Sequence, residues 1–382
     1  MDGENISNAA SAQERPAAAR FRLHLLDSIR GWASVQVLFF HVCHEMFSHK
    51  LPELASPWLG FILSGGFAVA VFFVLSGEAL SHGYFARNDV NSVRKQTIKR
   101  YVRLTIPIFA SCLIVFILMK TNLVFSHDAT VVLDRPDWLG RFLPFEPSLG
   151  AFFSYSLFGV YFRHATEISY NPFLWTMSIE LFGSMFVFLA LFVTRTSRQR
   201  WAIYACVAPF MLLFSPFLLC FMFGMIFGEM RVAGVFDRFA ARPAANWIAL
   251  LIAISVGVGL TVYPMLPLPE AGSAHRISFG AALFLLAVYS STWLRGIFDN
   301  RLSHFLGQLS FPIYLVHFPI IVSLESFLVL RFFADGSVTR PGAYLIMLTT
   351  LAATLLAAFL FLRVERFAIA ASNGFFRFID SL

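Results

Sequence analysis

The sequence predicts an all-α, polytopic integral membrane protein of about ten transmembrane helices, with both termini cytoplasmic. Three observations predict it. Of the 382 residues 58% are hydrophobic and only 13% are charged, about half the charge of an ordinary soluble domain. Apolar runs recur along the whole chain at lengths near the roughly 20 residues that a bilayer core of about 30 Å requires. The basic residues collect in alternate loops, as they do in chains oriented by the positive-inside rule. With a mean hydropathy of +0.71, the composition excludes a soluble globule and a disordered chain. A net charge of +7 on so sparse a set of charges points to membrane topology and away from nucleic acid.

Residues 1–22 are polar and Ala-rich and lack the apolar core of a signal peptide; they read as a short disordered cytoplasmic tail. The expected spans are 27–48, 58–82, 104–120, 172–194, 201–214, 216–230, 247–264, 276–294, 305–330 and 341–362. Arg15, Arg20, Arg22 and Arg30 place the N-terminus inside. The inside segments then hold 21 of the 29 Lys and Arg, counting Arg30 with the tail. A further apolar stretch, 147–162, is short and interrupted by Gly and Ser. If it crossed the membrane, the basic Arg195-to-Arg200 loop and everything after it would move outside. It is therefore expected as an interfacial or re-entrant helix in one long outer loop, 121–171. Pro216 separates two short spans that read as a tight hairpin. Gly224 and Gly228 form a small-xxx-small pattern there, read as a packing motif. Cys43, Cys112, Cys206 and Cys220 lie in apolar runs without paired spacing and read as core residues. Residues 368–382 form a short cytoplasmic tail.

Ionisable residues inside a bilayer are costly and are functional candidates by default. Arg30 and His41 are eleven residues apart, about 16 Å of helical rise and about 20° of rotation. They share a face, with Arg30 near the cytoplasmic surface and His41 near the midplane. Glu180, about 12 Å into its span, and His317, about 18 Å into its own, fall at a similar depth. One shared polar cavity accounts for the three simply. Below them lies a basic cluster of Arg94, Lys95, Lys99, Arg100 and Arg103. It anchors the chain and also suits the phosphates of a cytosolic ligand. His41 and His44 alone are too few ligands for a metal site, so none is expected. Glu78 and Glu325 have no assigned role.

Several blocks together resemble one family. They are Leu26-Asp27-Ser28-Ile29-Arg30-Gly31 followed by His41; Phe72-Phe73-Val74-Leu75-Ser76-Gly77; Arg100-Tyr101-Val102-Arg103-Leu104-Thr105-Ile106-Pro107; Trp175-Thr176-Met177-Ser178-Ile179-Glu180; the run from Leu306-Gly307 through Ser310 and Tyr314 to His317; and Val364-Glu365-Arg366. In this order, over about residues 24–367, they resemble the membrane acyltransferase family 3. The resemblance implies an acyltransferase domain over 23–367 in a multi-pass protein of a bacterial-type inner membrane. It implies an O-acyltransferase that moves an acyl group, acetyl by default, from cytosolic acyl-coenzyme A to a hydroxyl of an extracytoplasmic carbohydrate. Exopolysaccharide, a cellulose-like polymer, lipopolysaccharide and lipo-oligosaccharide are all acceptor candidates. Acyl-coenzyme A is then a co-substrate, with no permanently bound cofactor, and a polysaccharide synthesis or export complex is a candidate partner.

The catalytic candidates carried over are His41 and Glu180. The coenzyme A candidates are Arg30, Arg100 and Arg103. Trp175, Ser178, Tyr314 and His317 are substrate or structural support. Three positions depart from the family pattern: Glu78 in place of an aromatic residue, Leu181 in place of a second Glu, and Phe367 in place of Pro. Acyl transfer needs a base, oxyanion stabilisation and a dry site. His41 is assigned as the base or as a transient acyl carrier, with Glu180 orienting it or holding the acceptor. The competing classes are a secondary transporter with a proton relay, against which the lack of an internal repeat speaks, and a non-catalytic part of a glycan-export complex.

Overall fold

The computed structural model describes residues 24–197, 199–262 and 273–381. The tail expected over 1–22 lies outside them. Among the described residues there is no strand. The helices are α1 (24–47), α2 (Gly65–Arg87), α3 (Val90–Lys120), α4 (Ser126–Leu133), α5 (Leu149–Phe162) and α6 (Pro172–Thr194). They continue as α7 (Arg200–Phe214), α8 (Pro216–Val232), α9 (Val235–Ala240), α10 (Ala245–Val262), α11 (Ser273–Tyr289), α12 (Thr292–Phe298), α13 (Arg301–Phe332) and α14 (Arg340–Asp380).

Six described helices, α2, α3, α6, α10, α13 and α14, are long and apolar enough to cross a membrane. There are seven if α11 and α12 form one span across their 102° bend. The chain is thus an all-helical polytopic membrane protein. Helix starts follow local chemistry. Asp89 accepts a hydrogen bond from Asn91 N at 2.9 Å to cap α3, and Asn300 caps α13 through Ser303 N at 3.0 Å. The basic cluster from Arg94 to Arg103 is helical and belongs to α3. The segment expected as a tail after 367 continues α14: Ala368 and Ser372 are buried, Lys99 bonds Asn373, and Arg94 pairs with Asp380 at 3.2 Å. Cys43, Cys112 and Cys220 are buried, whereas Cys206 is exposed on α7. An apolar run in a membrane protein does not say which of its faces meets lipid.

The apolar side chains form two clusters. One joins the second half of α1 to α3, the 121–171 segment, α13 and α14. The other joins the first half of α1 to α2, the second half of α6, α8 and α11. Apolar side chains gain little by leaving lipid for protein, so helix contacts here rest on close fit. Glycine supplies that fit. A Cβ on Gly224 would collide with the Val74 carbonyl of α2, and one on Gly77 with the Phe221 carbonyl of α8. Gly31 and Gly307 let α1 and α13 cross in the same way: a Cβ on Gly307 would lie 2.6 Å from Asp27 O. Beside the α2–α8 contact, Arg231 pairs with Glu78, Tyr289 donates to Glu78 Oε2 at 2.7 Å, and the Arg231 guanidinium lies 4.0 Å from the Tyr289 ring centre. Glu78 thus ties α2, α8 and α11 together, a role invisible in the sequence.

Gly224→Ala should cost at least about 1–3 kcal/mol through overpacking and lower the melting temperature in detergent. Gly259→Ala on α10, where the space is open, should leave it unchanged or raised. Glu78→Ala strands the buried Arg231 charge and should cost about 3–5 kcal/mol; a variant as stable as wild type would contradict this.

Candidate active site

The two apolar clusters meet at a cavity of about 400 Å³ lined by α1, α2, α3, α6, α13 and α14. Its charged end holds three guanidinium groups, Arg30, Arg100 and Arg103, and three carboxylates, Asp27, Glu180 and Glu365. Val37, Val69, Phe72, Phe73 and Phe311 form an apolar wall. Charges so placed need partners. Arg100 pairs with Glu180 and donates from Nε to Ser184 Oγ at 2.8 Å. Arg30 donates to Ser76 Oγ at 3.3 Å and lies 3.8 Å from Asp27 Oδ1. Arg103 and Glu365 also line the cavity.

The histidines lie just beyond this cavity. Val37 is in its lining, and His41 follows one turn later, at the start of a π-helical turn, Phe40–Glu45. Such turns often mark functional sites. The His41 ring stacks on Phe173 at 4.0 Å and 10° and on Trp138 at 5.8 Å and 11°, and the His317 ring lies beside it, with centres 5.4 Å apart and planes 29° apart. His317 is fully buried.

Phe173 is held in place by a chain that begins with a missing hydrogen. Pro319 has no N–H for the Leu315 carbonyl one turn back. Ser111 Oγ bonds that carbonyl at 2.7 Å and Asn171 Nδ2 at 3.4 Å. Asn171 in turn accepts from Phe173 N at 3.1 Å, capping the start of α6. Tyr314 donates to the Phe173 carbonyl at 2.6 Å, lies 2.8 Å from Thr176 Oγ1, and lines the cavity. It therefore joins the cavity to the histidine pair.

Trp138 reaches His41 from the 121–171 segment. Arg135 latches that segment to α1: its Nη1 donates to Glu45 O at 2.5 Å and its Nη2 to Glu45 Oε2 at 2.8 Å. The guanidinium also lies 5.6 Å from the Trp138 ring centre.

The sequence candidates thus divide. Arg30, Arg100, Arg103, Glu180 and Tyr314 share the cavity. His41 and His317 share a ring cluster at its end. Glu180 does not join the histidines as the one-cavity expectation had it, because the buried Arg100 charge holds it. Trp175 is 39% exposed and packs on Phe217; neither it nor the half-buried Ser178 lines the cavity. Phe173, Asn171, Trp138 and Arg135 were not singled out from the sequence. Asn171-Pro172 is a legible helix start; Trp138 and Arg135 sit in a loop with no period to read.

Residues 23–363 match the acyltransferase domain of the Acyl_transf_3 family. The chain is 24% identical over 416 residues to O-acetyltransferase PaAT-1 of Phomopsis amygdali, covering 91% of this chain and 83% of that one. It is 25% identical over 331 residues to acyltransferase clz18 of Cochliobolus lunatus, covering 70% of each. No solved structure matches it. With that domain spanning most of an all-helical membrane chain, the protein belongs to the acyltransferase 3 family and is an acyltransferase.

Proposed function

We propose that the protein transfers an acyl group, acetyl in the reading favoured here, from cytosolic acyl-coenzyme A to a hydroxyl of an extracytoplasmic carbohydrate. The observation that carries this is a cavity lined by Arg30, Arg100 and Arg103 whose other lining residues include Val37, one turn before His41, and Tyr314, whose ring lies 6.2 Å from that of His317. In the matching topology the chain makes ten spans in a bacterial-type cytoplasmic membrane, with both termini and the Arg100 end in the cytosol. Arg30, Arg100 and Arg103 hold the coenzyme A phosphates through N–H groups other than those that Arg100 gives to Glu180 and Ser184 and Arg30 gives to Ser76. The pantetheine arm lies along the apolar wall and brings the thioester to His41. The acceptor arrives from the opposite side, beneath the 121–171 segment. The name of PaAT-1 supports acetyl as the group transferred.

His41 takes the hydroxyl proton as the oxygen attacks the thioester carbon. The C–S bond breaks, and the proton passes to the departing thiolate, giving ester and free coenzyme A. The rings of Phe173 and Trp138 keep bulk water from the intermediate. Glu180 keeps Arg100 in place for the donor.

His41→Ala should lower transfer by about 10²–10⁴-fold while the protein still inserts, read as base-labile acetyl esters on surface glycans by mass analysis. Wild-type ester levels would remove His41 from the base role. Arg103→Ala should raise KM for acetyl-CoA and leave kcat near wild type; unchanged KM would place the donor phosphates elsewhere.

A further inference from the structure

Two ring nitrogens deep in the protein have nothing to bond. His41 Nδ1 and His317 Nε2 are both closed to solvent and without a hydrogen-bond partner. A buried polar atom left this way costs about 1–3 kcal/mol, so an unmet pair on neighbouring rings calls for an explanation. The ring centres are 5.4 Å apart and the planes differ by 29°. Two imidazoles joined by an in-plane N–H···N bond have centres about 5 Å apart, given a usual bond length of about 3 Å. The two rings are spaced as such a pair is, and a ring rotation brings the two nitrogens together.

The tautomer of His317 is fixed from its other side. Its Nδ1 lies 3.0 Å from the Ile313 carbonyl oxygen. A carbonyl only accepts, so Nδ1 carries the hydrogen. In a neutral imidazole the other nitrogen is then a bare acceptor. His317 Nε2 is thus a buried lone pair beside His41, and Phe173 covers both rings, at 4.0 Å from His41 and 4.9 Å from His317.

The geometry points to His317 as the positioning residue of the transfer reaction: its Nε2 accepts a hydrogen bond from His41 Nδ1–H and fixes His41 in the tautomer whose Nε2 is free to act as base. This rests on the reading of His41 as the base. In the step itself the acceptor proton moves to His41 Nε2, the new C–O bond forms, the C–S bond breaks, and that proton leaves with the thiolate. His317 takes no proton. It orients the imidazole and stabilises the imidazolium, the part an aspartate plays in a serine-protease triad. Glu180, held by Arg100, is not needed for it.

The test uses the full-length protein in detergent, acetyl-CoA, and surface glycan stripped of its esters with base. Asn at 317 keeps an amide near the Ile313 carbonyl and puts nothing at the Nε2 position; Gln carries its amide oxygen further out, towards that position. His317→Asn should lose about 10²-fold in kcat with KM for acetyl-CoA unchanged, and His317→Gln should recover much of it. Wild-type kcat in His317→Asn, a Gln variant no better than Asn, or a loss confined to KM would overturn the assignment. His41→Ala in the same assay separates the two readings. If it stays active, the base assignment fails. If it is inactive while His317→Asn is fully active, the positioning role alone fails. Nitrogen-15 NMR of the unsubstituted protein gives a result that depends on neither variant nor acceptor. His41 should be protonated at Nδ1, and an Nε2-protonated His41 would overturn the proposal.

Discussion

In an apolar medium every polar group must find its partner inside the protein, and that constraint shapes this molecule throughout. Arg100 finds Glu180. Arg231 finds Glu78 and Tyr289. The Leu315 carbonyl, freed by Pro319, finds Ser111 and Asn171. Each partnership joins helices distant in sequence, so satisfying the polar groups also fixes the bundle. The histidine nitrogens that break the rule lie where the proposed chemistry occurs. Other buried groups break it too, among them the hydroxyls of Tyr84, Tyr204 and Thr350 and both carboxyl oxygens of Glu325.

The architecture turns the same constraint into a reaction path. Of the two apolar clusters, the one around α2 and α8 packs tightly through glycine contacts at Gly77 and Gly224. The seam between them is where charged side chains from α1, α3, α6 and α14 meet in one cavity. In the proposed reaction this seam takes the long, thin donor from one side of the membrane. The ring cluster at its end is held by bonds from α3, α6 and α13 at once, which is the rigidity a base needs to keep its geometry.

Much of this was legible in the sequence, and the parts that were not share a cause. Periodic apolar runs announced the helices, and Gly224 with Gly228 announced a close helix contact. Counting residues along helices put His41 and His317 at one depth, and they are neighbours. Counting cannot show which way a helix faces, so Glu180 was grouped with the histidines when it turns to Arg100. The same blindness hid the exposure of Cys206 and the pairing of Glu78 with Arg231, 153 positions away in the chain. Trp138 and Arg135 lie in an aperiodic segment, where no pattern says which side chain folds back over α1.

The most direct measurement of the central claim is a structure of the protein with a non-hydrolysable acetyl-CoA analogue bound. The phosphates should sit at Arg30, Arg100 and Arg103, and the carbonyl that stands for the thioester should lie within reach of His41. Phosphates bound at the opposite end, under the 121–171 segment, or a carbonyl held beside Glu180 and away from the ring cluster, would contradict it.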